Sequence, residues 1–208
     1  MKAENFFSEK EKERIREAVV AAESKTSGEV VPMIVTSAAR YTEIELFGLA
    51  AGLFLGMVIE WLWSDPWGSP YFQLWPMFGA LLGFLLGRIP VVKRLLAPTS
   101  RVTEAVHTLG LASFTEQGLH YTKDHTGILI LVSLLEHRVE VLADRGIDQK
   151  VGAGTWDEIV HTISAGIKSG RACDAFCNAI RRCGDILATH FPRQADDQDE
   201  LSNRLVTK

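Results

Sequence analysis

Four carboxylates stand where the chain could do chemistry. Glu29 opens a run of β-branched residues, Asp124 precedes a long apolar run, Asp144 closes an alternating run, and Asp148 lies one helical turn beyond Asp144. Hard oxygen donors of this kind suit Ca2+ or Mg2+, and ligands of open α/β sheets gather where strand ends meet helix starts. Asp144 is the best placed of the set. Arg145 beside it can hold an anion, and Gly146 gives the backbone room to turn. The alternative is that all four are solvated turn residues and helix caps, which Asp favours. A phosphatase would also need a nucleophile or a metal-bound water, with cations to hold the phosphate. The chain has no glycine-rich phosphate loop, no Cys-x5-Arg and no paired-aspartate phosphatase motif. No catalytic residue can be singled out.

The remaining reactive side chains read as structural. His107, His120, His125 and His161 share no common metal-ligand spacing. Cys173, Cys177 and Cys183 are an odd number in a short stretch, a poor disulfide framework and a good fit to reduced thiols packed as small hydrophobes. His137 and Arg138 sit at a tight turn, where exposure accounts for them, and Trp156 reads as a core anchor.

The elements that must position these groups follow from periodicity. Ser8 to Lys25 predicts an amphipathic helix, with Ser8 as cap, Glu11 as capping-box partner and Ile15, Ala18, Val19 and Ala22 on its buried face. Val30 to Thr36 predicts a strand. Thr99 to Gly118 predicts a helix buried along Val102, Ala105, Val106, Leu109 and Phe114. Gly127 to Leu135 is continuously apolar, as a strand covered on both faces is. Glu136-His137 turns into a neighbouring strand, Arg138 to Ala143. Trp156 to Ile167 and Ala172 to His190 predict two further helices, and a polar tail follows Phe191-Pro192. The order predicts a three-layer α/β/α domain, a mixed sheet between helices.

Between the first strand and the rest lies a different composition. Ile44 to Trp63 and Tyr71 to Val92 are apolar runs joined by Ser64-Asp65-Pro66-Trp67-Gly68-Ser69-Pro70. About twenty helical residues span about 30 Å, the thickness of a hydrocarbon core, so the pair predicts a transmembrane hairpin with Arg88 snorkelling near its end. Arg40 precedes it, and Arg88, Lys93, Arg94 and Arg101 follow its second run, while the connecting loop has no Lys or Arg. The positive-inside rule then puts both termini in the cytoplasm at a bacterial inner membrane. Trp61, Trp63, Trp67, Tyr71 and Trp75 crowd the outer turn, as interfacial aromatics do. Gly48, Gly52 and Gly56 recur every fourth residue, as do Gly79, Gly83 and Gly87. Such faces let helices approach closely, either within the hairpin or against another protomer or membrane partner.

The organisation expected is therefore 1–43 as the first part of a cytoplasmic domain, 44–92 as the hairpin, 93–192 as the remainder of the domain and 193–208 as a tail. The hairpin is an insertion in one fold. A net charge of −4 over 208 residues excludes a global basic bias toward nucleic acid. The polar start, Met1 to Ser8, has no apolar core or cleavage site of a secretion signal.

Several stretches together resemble one family. Phe7-Ser8 stands before the charged helix, followed by Thr26-Ser27-Gly28-Glu29-Val30. Phe114-Thr115-Glu116-Gln117-Gly118-Leu119 precedes Thr122 and Thr126-Gly127-Ile128-Leu129-Ile130. Then come the run from Glu136 to Ile147, Trp156 with Ile159 and Val160, Gly184 with Leu187, and Phe191-Pro192. In this order and spacing they are similar to the TPM domain family, in its bacterial branch with an internal membrane hairpin. The resemblance implies a central sheet between helices. Members are described as acid phosphatases, as divalent-ion binders and as helpers in membrane-complex assembly or repair. It therefore implies either an interaction, assembly or quality-control module or a divalent-metal-dependent phosphomonoesterase, with Ca2+ or Mg2+ as the candidate ion. Two positions depart from the pattern: Asp199-Glu200-Leu201 replaces an expected Asn-Glu-Leu, and His125 stands where Arg is commoner before Thr-Gly.

Overall fold

In the computed structural model, the residues described are 2–63, 74–122, 125–152, 154–194 and 201–208. The chain divides into two compact units, Met1–Ala38 with Thr103–Lys208, and Ala39–Val102.

The first unit begins with a 3-10 turn at Ala3–Asn5 and helix α1, Glu9–Glu23. Its start is the expected capping box. Ser8 Oγ accepts the Glu11 N–H at 3.4 Å, and Glu11 Oε2 accepts the Ser8 N–H at 2.8 Å. Ile15, Ala18, Val19 and Ala22 are buried, as their spacing predicts. Strand β1 follows, Glu29–Val35, with every residue buried. Helix α5, Thr99–Glu116, runs on into this unit and ends before a short 3-10 turn at Leu119–Tyr121. Strands β2, Gly127–Ser133, and β3, Arg138–Ala143, form a hairpin, and a four-residue helix α6, Arg145–Asp148, caps it. Helices α7, Thr155–Lys168, and α8, Ala172–His190, lie within a residue of the predicted bounds.

The sheet has the order β3-β2-β1-β4, where β4 is Val206–Thr207. Parallel β1 and β2 run in register from Glu29↔Gly127 to Val35↔Ser133, and β3 is antiparallel to β2. One face carries the larger core, where Ile15 and Val19 of α1, Ile159 and Ile163 of α7, and Phe176 and Ile180 of α8 meet Val30, Ile128 and Ile130. The other face packs Val31, Met33, Leu129 and Leu131 beneath Val106 of α5. The fold is the three-layer α/β/α arrangement that the residue pattern predicts.

Within the polar tail, 193–208, β4 pairs in parallel with β1. Lys208 donates its N–H to the Ile34 carbonyl at 3.1 Å and accepts the Thr36 N–H at 2.9 Å. A two-residue strand has too little pattern to announce itself. Asp199 and Glu200 lie outside the described residues.

The second unit holds helices α2, Thr42–Leu62, α3, Leu74–Gly87, and α4, Pro90–Leu96. Here the expectation changes. The run expected to be helical through Val92 stops at Gly87 and resumes as α4 after a bend of 85°. Pro90 supplies the reason. It has no N–H, its ring clashes with the carbonyl four residues back, and it forces the preceding residue out of the helical region. Ile89 is accordingly extended, at φ −67° and ψ 126°. Arg88 and Ile89 close the last turn with i→i−3 bonds to Leu85 and Leu86. Among the described residues, one helix, α2, is long and apolar enough by itself to cross a membrane, and α3 with α4 qualifies as a bent pair. The connecting turn, with Trp67 and Tyr71, lies outside the described residues.

Candidate functional site

The parallel pairing of β1 with β2, and the reversed β3, bring two of the predicted positions, Glu29 and Asp144, to one end of the sheet. Glu29 starts β1, and its N–H bonds to the Thr126 carbonyl at 3.2 Å. Gly127 is its register partner on β2, and the Asp144 N–H bonds to the Gly127 carbonyl at 2.9 Å. This is the amino end of the parallel pair, whereas ligand sites of open α/β sheets lie at the carboxyl ends.

Asp144 serves as the N-cap of α6. Its Oδ1 accepts the Arg145 N–H at 2.6 Å, and its Oδ2 lies 3.3 Å from His125 Nδ1. His125 has a left-handed backbone, φ 53°, which aims the ring at that carboxylate. Asp148 and Arg145 are exposed, and Glu29 is buried. Asp124 lies outside the described residues.

A divalent cation of the Ca2+ or Mg2+ kind takes about six oxygen ligands, drawn from carboxylates, carbonyls and waters. Among the described residues, no three His, Cys, Asp or Glu side chains come close enough to hold an ion. Asp144 already uses one oxygen on a backbone N–H and the other on His125. Asp144 and His125 give a capped helix start with an imidazole–carboxylate pair.

The carboxyl end of the sheet holds a group whose burial sequence reasoning missed. Glu136, read as half of a tight turn, is buried at 8% exposure. Its Oε1 accepts the Ala38 N–H at 2.9 Å, and its Oε2 takes the hydroxyl of the fully buried Ser133. It thus ties the β2–β3 turn to the segment leaving β1. A carboxylate beside His137 in a turn gives no local signal of burial.

The six glycines face each other within the hairpin. A side chain on Gly48 would meet the Gly83 backbone, one on Gly52 the Gly79 backbone, and one on Gly56 the Trp75 carbonyl and Pro76. Gly79 and Gly83 meet Gly52 and Gly48 in return, and Gly87 meets Ile44 and Glu45. Both small-residue faces are occupied inside one chain. Lys93 Nζ closes the open end of the hairpin with Glu45 Oε1 at 2.5 Å and the Arg40 carbonyl at 2.9 Å.

The three cysteines are free and buried. Burial pushes the Cys183 thiol from the ordinary 9.0 up to about 12. These are packed thiols, not nucleophiles.

Comparison with known proteins agrees with this architecture. Residues 90–186 match the family model described as the TPM domain. The solution structure of the BA42 protein from the psychrophilic bacterium Bizionia argentinensis is similar in fold. Its TM-score is 0.63 and its identity 20%, over 100% of this chain and 99% of that one. No curated protein sequence matches the chain. The matched segment contains α5, β2, β3 and the hydrogen-bonded turn around Glu136, so residues 90–186 of this chain are similar to the TPM domain.

Proposed function

We propose that this TPM-like protein is held in a bacterial inner membrane by its glycine-packed hairpin. There it works as an interaction module in the assembly or quality control of membrane proteins. The observation that carries the reading is α2: a 21-residue, predominantly apolar helix whose large side chains turn outward, Phe47 and Phe54 each 66% exposed. Soluble monomers rarely leave so much contiguous apolar surface in water. Each such side chain gains about 1.5–3 kcal/mol on leaving it.

Orientation follows from charge. No Lys or Arg occurs between Arg40 and Arg88, and Lys93, Arg94 and Arg101 follow, so both termini are read as cytoplasmic. The bend before α4 refines the second span. Val91 and Leu95, one turn apart, are 73% and 81% exposed, beside Lys93 and Arg94. That pattern suits a segment lying along the membrane surface.

The test is alkaline carbonate extraction of membranes, with impermeant maleimide labelling of a cysteine placed at Ser69. The reading expects retention in the pellet and labelling from the periplasmic side. Release into the supernatant would end it. Co-purification from mild detergent then identifies the partner. The second reading, a divalent-metal-dependent phosphomonoesterase, draws on the Asp144–His125 pair at 3.3 Å. Turnover of a generic phosphomonoester by the purified full chain with Mg2+, Mn2+ or Ca2+, abolished by Asp144→Asn, would establish it in place of the first.

A further inference from the structure

The two edges of the sheet are finished differently. On the β1 side the groups turned away from β2 are closed. The Val30 N–H goes to Glu23 Oε1 at 3.0 Å, Pro32 has no N–H, and Lys208 serves both the Ile34 carbonyl and the Thr36 N–H. Such closure is how proteins keep an edge from pairing.

The opposite edge is β3. The Asp144–Gly127 bond and the register from Ile128↔Ala143 to Ser133↔Arg138 turn the main chain of residues 138, 140, 142 and 144 toward β2. By alternation the N–H and C=O groups of Val139, Val141 and Ala143 point outward. Among the described residues, nothing hydrogen-bonds to them. The side chains are sorted by face. Val139, Val141 and Ala143 pack against the larger core, while Leu142 joins the smaller one and Glu140 Oε1 lies 2.6 Å from His107 Nδ1 on α5.

We propose that β3 is a self-association edge. Two copies of the chain pair β3 to β3, antiparallel about a twofold axis at Val141, and join their sheets into one of eight strands. The strand itself selects this occupant and register. Its three outward residues are centred on Val141, so a twofold axis there pairs Val141 with its own copy and Val139 with Ala143, each as a fully hydrogen-bonded pair. On the other face the same register sets Arg138 opposite Asp144 of the second copy, twice. Arg138 is exposed and has no ion pair among the described residues. The Asp144 carboxylate, holding His125 and the Arg145 N–H, retains acceptor capacity. Opposite charges across a strand pair stabilise it. The neighbouring registers are repelled. Setting Val139 opposite Val141 brings Glu140 against Glu140, and setting Val141 opposite Ala143 brings Glu140 against Asp144.

The experiment uses the full chain purified in mild detergent, read by light scattering and by disulfide trapping. A dimer is expected. A cysteine at Val141 should crosslink to its own copy under copper phenanthroline and O2, since hydrogen-bonded antiparallel pairs stand about 5.5 Å apart, within disulfide reach. Two thiols there lose two protons and two electrons to O2 as the S–S bond forms. A cysteine at Arg138 should not crosslink, because its copy would lie about 20 Å away. Arg138→Glu, an exposed substitution that leaves the fold intact, should weaken self-association by about tenfold. A monomer at tens of micromolar overturns the proposal. So does a dimer that fails to crosslink at position 141, or one indifferent to Arg138→Glu.

Discussion

The Gly79 backbone carbonyl occupies the space that a side chain on Gly52 would take, and the Gly52 carbonyl does the same at Gly79. The contact is reciprocal and entirely backbone, so neither partner can swing aside as a flexible side chain would. Gly52→Leu or Gly83→Leu is expected to part α2 from α3 and destabilise the hairpin by about 1–3 kcal/mol or more. The measurement is the thermal midpoint in detergent. The mass of any assembly should change only as far as the hairpin itself unfolds.

Glu136 and Ser133 set the second expectation. Glu136→Ala leaves the buried Ser133 hydroxyl and the Ala38 N–H without their acceptor. An unsatisfied buried group costs about 1–3 kcal/mol, so chemical denaturation should show a loss of that order or more. Glu136→Gln keeps an acceptor oxygen and should lose less.

Ser8→Ala should cost about 1 kcal/mol, the usual worth of an N-cap. The Ser8 backbone and hydroxyl, both bonded to Glu11, hold that carboxyl below its ordinary 4.5. A depressed carboxyl stabilises the fold above its unfolded value. The contribution is therefore present above about pH 4.5 and is lost as pH falls through the folded value. In Ser8→Ala the backbone N–H of residue 8 still bonds Glu11, so this part of the acid sensitivity should shrink without vanishing, as read by the pH dependence of helix ellipticity.

Cys183 gives an alkaline signature. Its thiol, pushed from 9.0 to about 12, stays protonated in the fold while an unfolded thiol ionises. The raised value makes its contribution full below about pH 9 and progressively lost toward pH 12. Cys183 should resist thiol reagents at neutral pH and react only on unfolding. Rapid labelling of the native protein at Cys183 would contradict its burial.

Where a signal is local, the residue order alone determined the outcome. The Ser8–Glu11 box starts α1 because both partners lie within one turn. The α8 bounds follow from an apolar face repeated over five turns, and β2 from five large apolar residues in sequence, Ile128 to Val132. The layered fold and the close-packing role of the glycines followed from the same patterns. Tertiary structure decided what depends on partners distant along the chain. Two residues at 206–207 become a strand only because β1 presents an edge. Pro90 was visible, yet the 85° size of the bend was not. The parallel pairing of β1 with β2 placed Glu29 and Asp144 at the amino end of the sheet. The carboxyl end is instead organised by Glu136, whose burial depends on Ala38, 98 positions away. Periodicity reports which face of an element is buried. It cannot report which end of the sheet a strand terminus reaches, because that depends on the direction and order of strands the chain has yet to bring together.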